Sequence, residues 1–206
     1  GELRVDRSYQ FSNRVSDTEM SDNQKKLTGS IGYVVPIGNY QCMLTGIDGN
    51  DTTQIDTITF GIKLSKLPAE HFSMSDIQLA SSIRESSNRN SVFYKNTYEV
   101  IPNPGGVYGE QLPIIYFYSE LYNTDRDVKS EFLMVEHILL NSRDQLIQKK
   151  IKLLPRKTNS IVEVGTVNIT KIPTGTYTLV VAVKDSIKNV VVFASKKLFI
   201  FNPSVA

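Results

Sequence analysis

Of the side chains able to ionise, attack or coordinate, this sequence gathers its densest group in Tyr116-Phe117-Tyr118-Ser119-Glu120-Leu121-Tyr122. Strand alternation puts Ile115, Phe117 and Leu121 on one face and Tyr116, Tyr118, Glu120 and Tyr122 on the other. With the aliphatic face in the core, a tyrosine ladder with one carboxylate points outward. Such a face suits stacking on a glycan or anchoring another protein. Cross-strand aromatic packing, or burial against a neighbouring domain, accounts for the same pattern. A hydrolytic reading needs a second carboxylate near Glu120, and Asp76 and Glu136 are the candidates for such a pair.

Other reactive types are sparse. His71 and His137 are the two histidines, and neither belongs to a His-x-x-x-His spacing. His137 sits within Phe132-Leu133-Met134-Val135-Glu136-His137-Ile138-Leu139, where a strand histidine with a satisfied or solvated ring is expected. Cys42 is the single cysteine, so no intrachain disulfide forms, and its place in a strand predicts a buried, inert thiol. The acidic turn Asp48-Gly49-Asn50-Asp51-Thr52 invites calcium, but Thr53 and Thr59 occupy the positions where an EF-hand loop needs Gly and Glu. A hairpin turn explains it as well. Phosphate-loop, dinucleotide and Gly-x-Ser-x-Gly fingerprints are absent. The sequence therefore predicts no catalytic, cofactor-binding or metal-binding residue, and no cofactor.

The 206 residues carry a net charge of +2, with no basic cluster denser than Lys149-Lys150 or Lys196-Lys197. That balance offers nothing to nucleic acid. No apolar run approaches the ~18 residues of a membrane span, so no transmembrane segment is expected in this chain. Nor does the start read as a secretory leader.

The elements that position these residues are read from a repeat. Pro36-Ile37-Gly38-Asn39-Tyr40 leads to Asp48 as Pro173-Thr174-Gly175-Thr176-Tyr177 leads to Asp185, all four matched positions lying 137 residues apart. Proline presets φ for a turn, glycine tolerates φ above zero, and the tyrosine opens an alternating strand. A tyrosine so placed is that of a tyrosine corner, its hydroxyl tied back to nearby backbone, and Tyr40 and Tyr177 are expected to form two equivalent corners. Asp48 and Asp185 then start the next turn.

Alternation predicts strands over Leu3–Phe11, Lys26–Val35, Tyr40–Ile47 and Ile55–Leu64, with a loop over Ser12–Asn23. Beyond Leu67-Pro68-Ala69 it predicts Phe72–Ile83, Val92–Ile101, Leu112–Tyr122, Ser130–Leu140, Gln145–Leu154, Ser160–Ile169, Tyr177–Asp185 and Val190–Phe201. The expected class is all-β: tandem immunoglobulin/fibronectin-III-like antiparallel β-sandwiches, residues 1–67 being the C-terminal part of a first and residues 68–206 a complete second.

Several of these stretches, Phe72-Ser73-Met74-Ser75-Asp76-Ile77-Gln78-Leu79-Ala80, Pro102-Asn103-Pro104, Tyr116 to Asn123, and Lys196-Lys197-Leu198-Phe199-Ile200-Phe201-Asn202-Pro203, carry a resemblance. They resemble the β-sandwich region upstream of the GWxTD domain in bacterial GWxTD-domain-containing proteins. Gly-Trp-x-Thr-Asp itself is missing, and the chain has no tryptophan. The resemblance implies a bacterial, exported protein, periplasmic or at the cell surface, and transfers no catalytic residue. The function expected is a non-enzymatic spacer or interaction module whose partner is another domain of the same polypeptide or another protein. A carbohydrate-binding module using the tyrosine face is the alternative.

Overall fold

A computed structural model describes residues 2–11, 28–126, 130–185, 187 and 191–205. The chain divides into two compact units, Gly1–Leu67 and Pro68–Ala206. Among the described residues there is no helix.

In the first unit the described strands are β1 (Gly38–Ile47) and β2 (Ile55–Leu64), an antiparallel hairpin in register from Gly38↔Leu64 to Ile47↔Ile55. Every residue of β2 is exposed. Residues 3–11 and 28–35, expected as strands, form none. Alternation makes a segment amphipathic, but a strand also requires a backbone edge to bond, and no described neighbour supplies one. The loop expected over Ser12–Asn23 lies outside the described residues.

The second unit is a β-sandwich. Its strands run β3 (Ser73–Met74), β4 (Gln78–Glu85), β5 (Tyr94–Lys95), β6 (Tyr98–Pro102), β7 (Val107–Gly109), β8 (Ile114–Tyr122), β9 (Phe132–Asn141), β10 (Leu146–Pro155), β11 (Ser160–Asn168), β12 (Gly175–Lys184) and β13 (Val191–Phe201). One sheet has the order β11-β8-β4-β6-β5, with β3 also on β8; the other has the order β10-β9-β12-β13-β7. The chain crosses between the sheets from β6 to β7, β7 to β8, β8 to β9, β10 to β11 and β11 to β12. All pairings are antiparallel except β7 with β13. The three-residue β7 was not expected, being too short for a periodicity.

The core fills the space between the sheets. Ile115, Phe117 and Leu121 of β8 face Leu133, Val135 and Leu139 of β9 and Leu179, Val181 and Val183 of β12, each 0–1% exposed. The C-terminal end is tied down by Asn202, buried, whose side-chain amide donates to the carbonyls of Ile169 and Ile172, both at 2.8 Å. Gly109, at φ 149°, carries the chain against β13 where a Cβ would stand 2.0 Å from the Phe201 carbonyl oxygen.

Candidate functional site

The tyrosine face of β8 lies opposite the core, as alternation requires, but it is not an open ladder. Tyr118 is 1% exposed, and Tyr116, Glu120 and Tyr122 are half-buried. The cause is the tight turn between β5 and β6, where Asn96 and Thr97 take positive φ of 45° and 69° and bring the chain over the ring. Asn96 Nδ2 donates to the Tyr118 hydroxyl at 2.6 Å, and the Lys95 ammonium sits 4.4 Å from the ring centroid. Ala80 and Val100 complete a small second core there, with Tyr116, Val162 and Val164 packed against it. Of the two readings the sequence offers, an outward tyrosine ladder and aromatic packing, each holds for part of the face, which is shared between packing and solvent.

Glu120 is the hub of this face. Tyr118 donates to its Oε1 at 2.8 Å, Tyr122 to its Oε2 at 2.5 Å, and Lys95 Nζ lies 3.4 Å from Oε1. Burial pushes the Glu120 carboxyl up, but the Tyr122 and Tyr118 hydroxyls and Lys95 outweigh it and hold the group below its ordinary value. Burial first, and the neighbouring carboxylate second, push Tyr122 up to about 12. In Tyr118 burial likewise raises the hydroxyl's pKa, against the Asn96 hydrogen bond. At neutral pH both tyrosines remain protonated donors and Glu120 remains their acceptor. Each of its oxygens is engaged, which suits a strut better than a nucleophile or a base.

The two carboxylates considered as partners for Glu120 do not join it. Glu136 is on the outer face of the other sheet, across the whole core, where Lys149 and Lys184 each reach it at 2.9 Å. Those two lysines, Lys149 first, hold its carboxyl below the ordinary value. Asp76 is exposed beside β3, while Ser75 binds the Glu120 backbone in both directions: its N–H donates to the Glu120 carbonyl at 2.8 Å and its hydroxyl accepts the Glu120 N–H at 2.9 Å. No acid pair of glycosidase type stands on β8.

A second polar group joins the sheets from inside. His137 of β9, 4% exposed, approaches Glu163 of β11, 0% exposed, with Nε2 2.7 Å from Oε1. Lys152 of β10 reaches the same oxygen at 2.8 Å and donates to the Val164 carbonyl at 3.2 Å. With the carboxylate accepting, Nε2 carries the histidine proton and Nδ1 is left as a buried atom with no partner. Phe117 meets the His137 ring edge-on at 4.8 Å. Gly165 makes the crossing fit, since a Cβ there would stand 2.2 Å from Phe117 Cζ and 2.7 Å from His137 Cε1. An open cleft of about 330 Å³ adjoins the group, lined by His137, Lys152, Tyr98 and Tyr116 among others.

Glu163 was overlooked in the sequence, although a signal was present. In Ile161-Val162-Glu163-Val164-Gly165-Thr166-Val167 it shares parity with Ile161 and Val167, which marks an acid on a buried face.

Both repeated turns carry the same bonds. The Tyr177 hydroxyl donates to the Pro173 carbonyl at 2.9 Å, and that of Tyr40 to the Pro36 carbonyl at 2.6 Å. Asp185 Oδ1 accepts the Ile187 N–H at 3.1 Å, and Asp48 Oδ1 the Asn50 N–H at 2.8 Å. In the acidic turn, Asp51 accepts from the backbone and hydroxyl of Thr53, whose hydroxyl bond is the larger cause of its lowered pKa. The turn's aspartates thus cap backbone. Cys42 is half-buried rather than buried, in a hairpin whose second strand is exposed throughout.

Compared with known protein families and with curated proteins, the chain matches no family model and no curated sequence.

Proposed function

We propose that the chain is a non-enzymatic structural and interaction module, a β-sandwich that spaces or binds other protein domains. The observation that carries this reading is the use made of its chemistry-bearing side chains. Glu120 is consumed by two tyrosine hydroxyls and a lysine, and Glu163 Oε1 is held by His137 and Lys152, each group joining strands to one another. Apolar side chains such as Ile151, Leu153 and Phe193 are instead displayed to the outside. Placement in an exported bacterial protein, periplasmic or at the cell surface, is proposed on the resemblance to the region upstream of the GWxTD domain. A Gly-Trp-x-Thr-Asp domain elsewhere in the parent reading frame would support it; a reading frame without one would remove it.

A glycan reading keeps one supporting observation: Tyr98 and Tyr116 line the open cleft together, beside charged side chains. A glycan array with the intact chain separates the two. The interaction module gives no selective signal; a selective signal that Tyr116→Ser abolishes, with the fold intact, makes the protein a sugar binder.

A further inference from the structure

The outer face of the β10-β9-β12-β13 sheet is apolar where a solvated face would be polar. Ile138 and Val180 stand side by side at its centre, between Lys149 on β10 and Ser195 on β13; in the next row Ile151 lies beside Glu136 and Phe193 beside Ala182, and in the row beyond Leu153 lies beside Met134. Leu153, Ile151 and Phe193 are 67%, 52% and 69% exposed. The inner face of β9 and β12 is the core, so these two central strands are largely apolar on both faces, the pattern of a sheet covered on both sides. Four strands at ~4.8 Å spacing and ~30 Å length present about 600 Å² of flat face, close to one side of an ordinary protein interface.

Charge indicates the chemistry of the cover. Among the described residues the carboxylate on this face is Glu136, neutralised at 2.9 Å by both Lys149 and Lys184, with their alkyl stems laid across the sheet. Lys197, opposite Thr178, adds a third cation. Three lysines against one glutamate leave the face positive. A second copy would set like charges against each other. Phe193 stands within a strand rather than on a loop, so the apolar surface it belongs to is that of a sheet, a shape that meets another flat protein face. We infer that this face docks a protein partner whose surface is apolar with an acidic rim.

This inference rests on the interaction-module reading and names the surface and the partner's chemistry. The test uses the intact chain against a random peptide display library, followed by titration with the enriched synthetic peptides. Apolar, net-acidic peptides are expected, binding about tenfold more weakly to Phe193→Asp and to Ile151→Asp, each with an unchanged unfolding midpoint. Lys197→Glu should weaken the same peptides by a few fold, and added salt should do likewise. Enriched peptides that are basic overturn the acidic rim. Peptides that bind the Phe193 and Ile151 variants undiminished overturn the face while the module reading stands. No enrichment at all overturns both. Cosedimentation with phosphatidylserine vesicles that Phe193→Asp abolishes assigns the face to lipid, and a concentration-dependent dimer abolished by the same change assigns it to a second copy; either result overturns the inference.

Discussion

The hairpins β1–β2 and β12–β13 share a turn, a tyrosine and a capping aspartate, yet their surroundings differ. Tyr177, Leu179, Val181 and Val183 are 0–6% exposed, with β9 bonded to β12 on one side and β7 to β13 on the other. Their counterparts Tyr40 and Cys42 are half-buried, and Leu44 is 53% exposed. Both tyrosines nonetheless bond the carbonyl four residues back. Local chemistry therefore builds the corner without a core around it, whereas burial is contributed by strands remote in sequence.

Four tests would break or sharpen that contrast. Leu179→Ala should cost about 2–5 kcal/mol in denaturant unfolding, and Cys42→Ala at the matching position less than about 1 kcal/mol; similar costs would mean β1 is as enclosed as β12. Gly165→Ala, which drives a methyl into Phe117 and His137, should cost about 1–3 kcal/mol, while Gly61→Ala in the bare hairpin, whose nearest atom is 3.9 Å away, should leave the unfolding midpoint nearly unchanged. Acid separates the two units next. The folded Glu136 carboxyl lies below its ordinary value of 4.5, so its contribution is complete above about pH 4.5 and is lost as pH falls through the lower folded value. Glu136→Gln should remove that acid-dependent step from a pH series of unfolding curves and leave the β1–β2 turn, capped by Asp51, unaffected. The smallest effect is expected at the corners: Tyr177→Phe should cost about 1 kcal/mol and Tyr40→Phe less, because water replaces the lost bond at the exposed corner. Equal losses would show that the corner's worth is independent of burial.

Sequence disclosed the elements whose signals are local. The periodic runs of β8, β9, β12 and β13 announced strands, alternation in β8 announced which of its faces is the core, and the repeat announced the two corners. What escaped were features made by chain passing over chain. Tyr118 is covered by a turn some twenty residues away in sequence, and only Asn96-Thr97 in left-handed backbone brings it there. Leu3 to Phe11 alternates cleanly, yet no described edge accepts it. Glu163 was readable from parity alone; its partners His137 and Lys152 were not, since they belong to the opposite sheet.

The parallel pairing of β7 with β13, fastened just beyond by Asn202, has a mechanical consequence. Tension applied along β13 from its C-terminal end loads the bonds to β7 and β12 together, in shear, before it can peel any of them singly. The Asn202 amide, holding two carbonyls of the loop ahead of β12, must yield first. The β-sandwich is thus latched at the C-terminal end of β13.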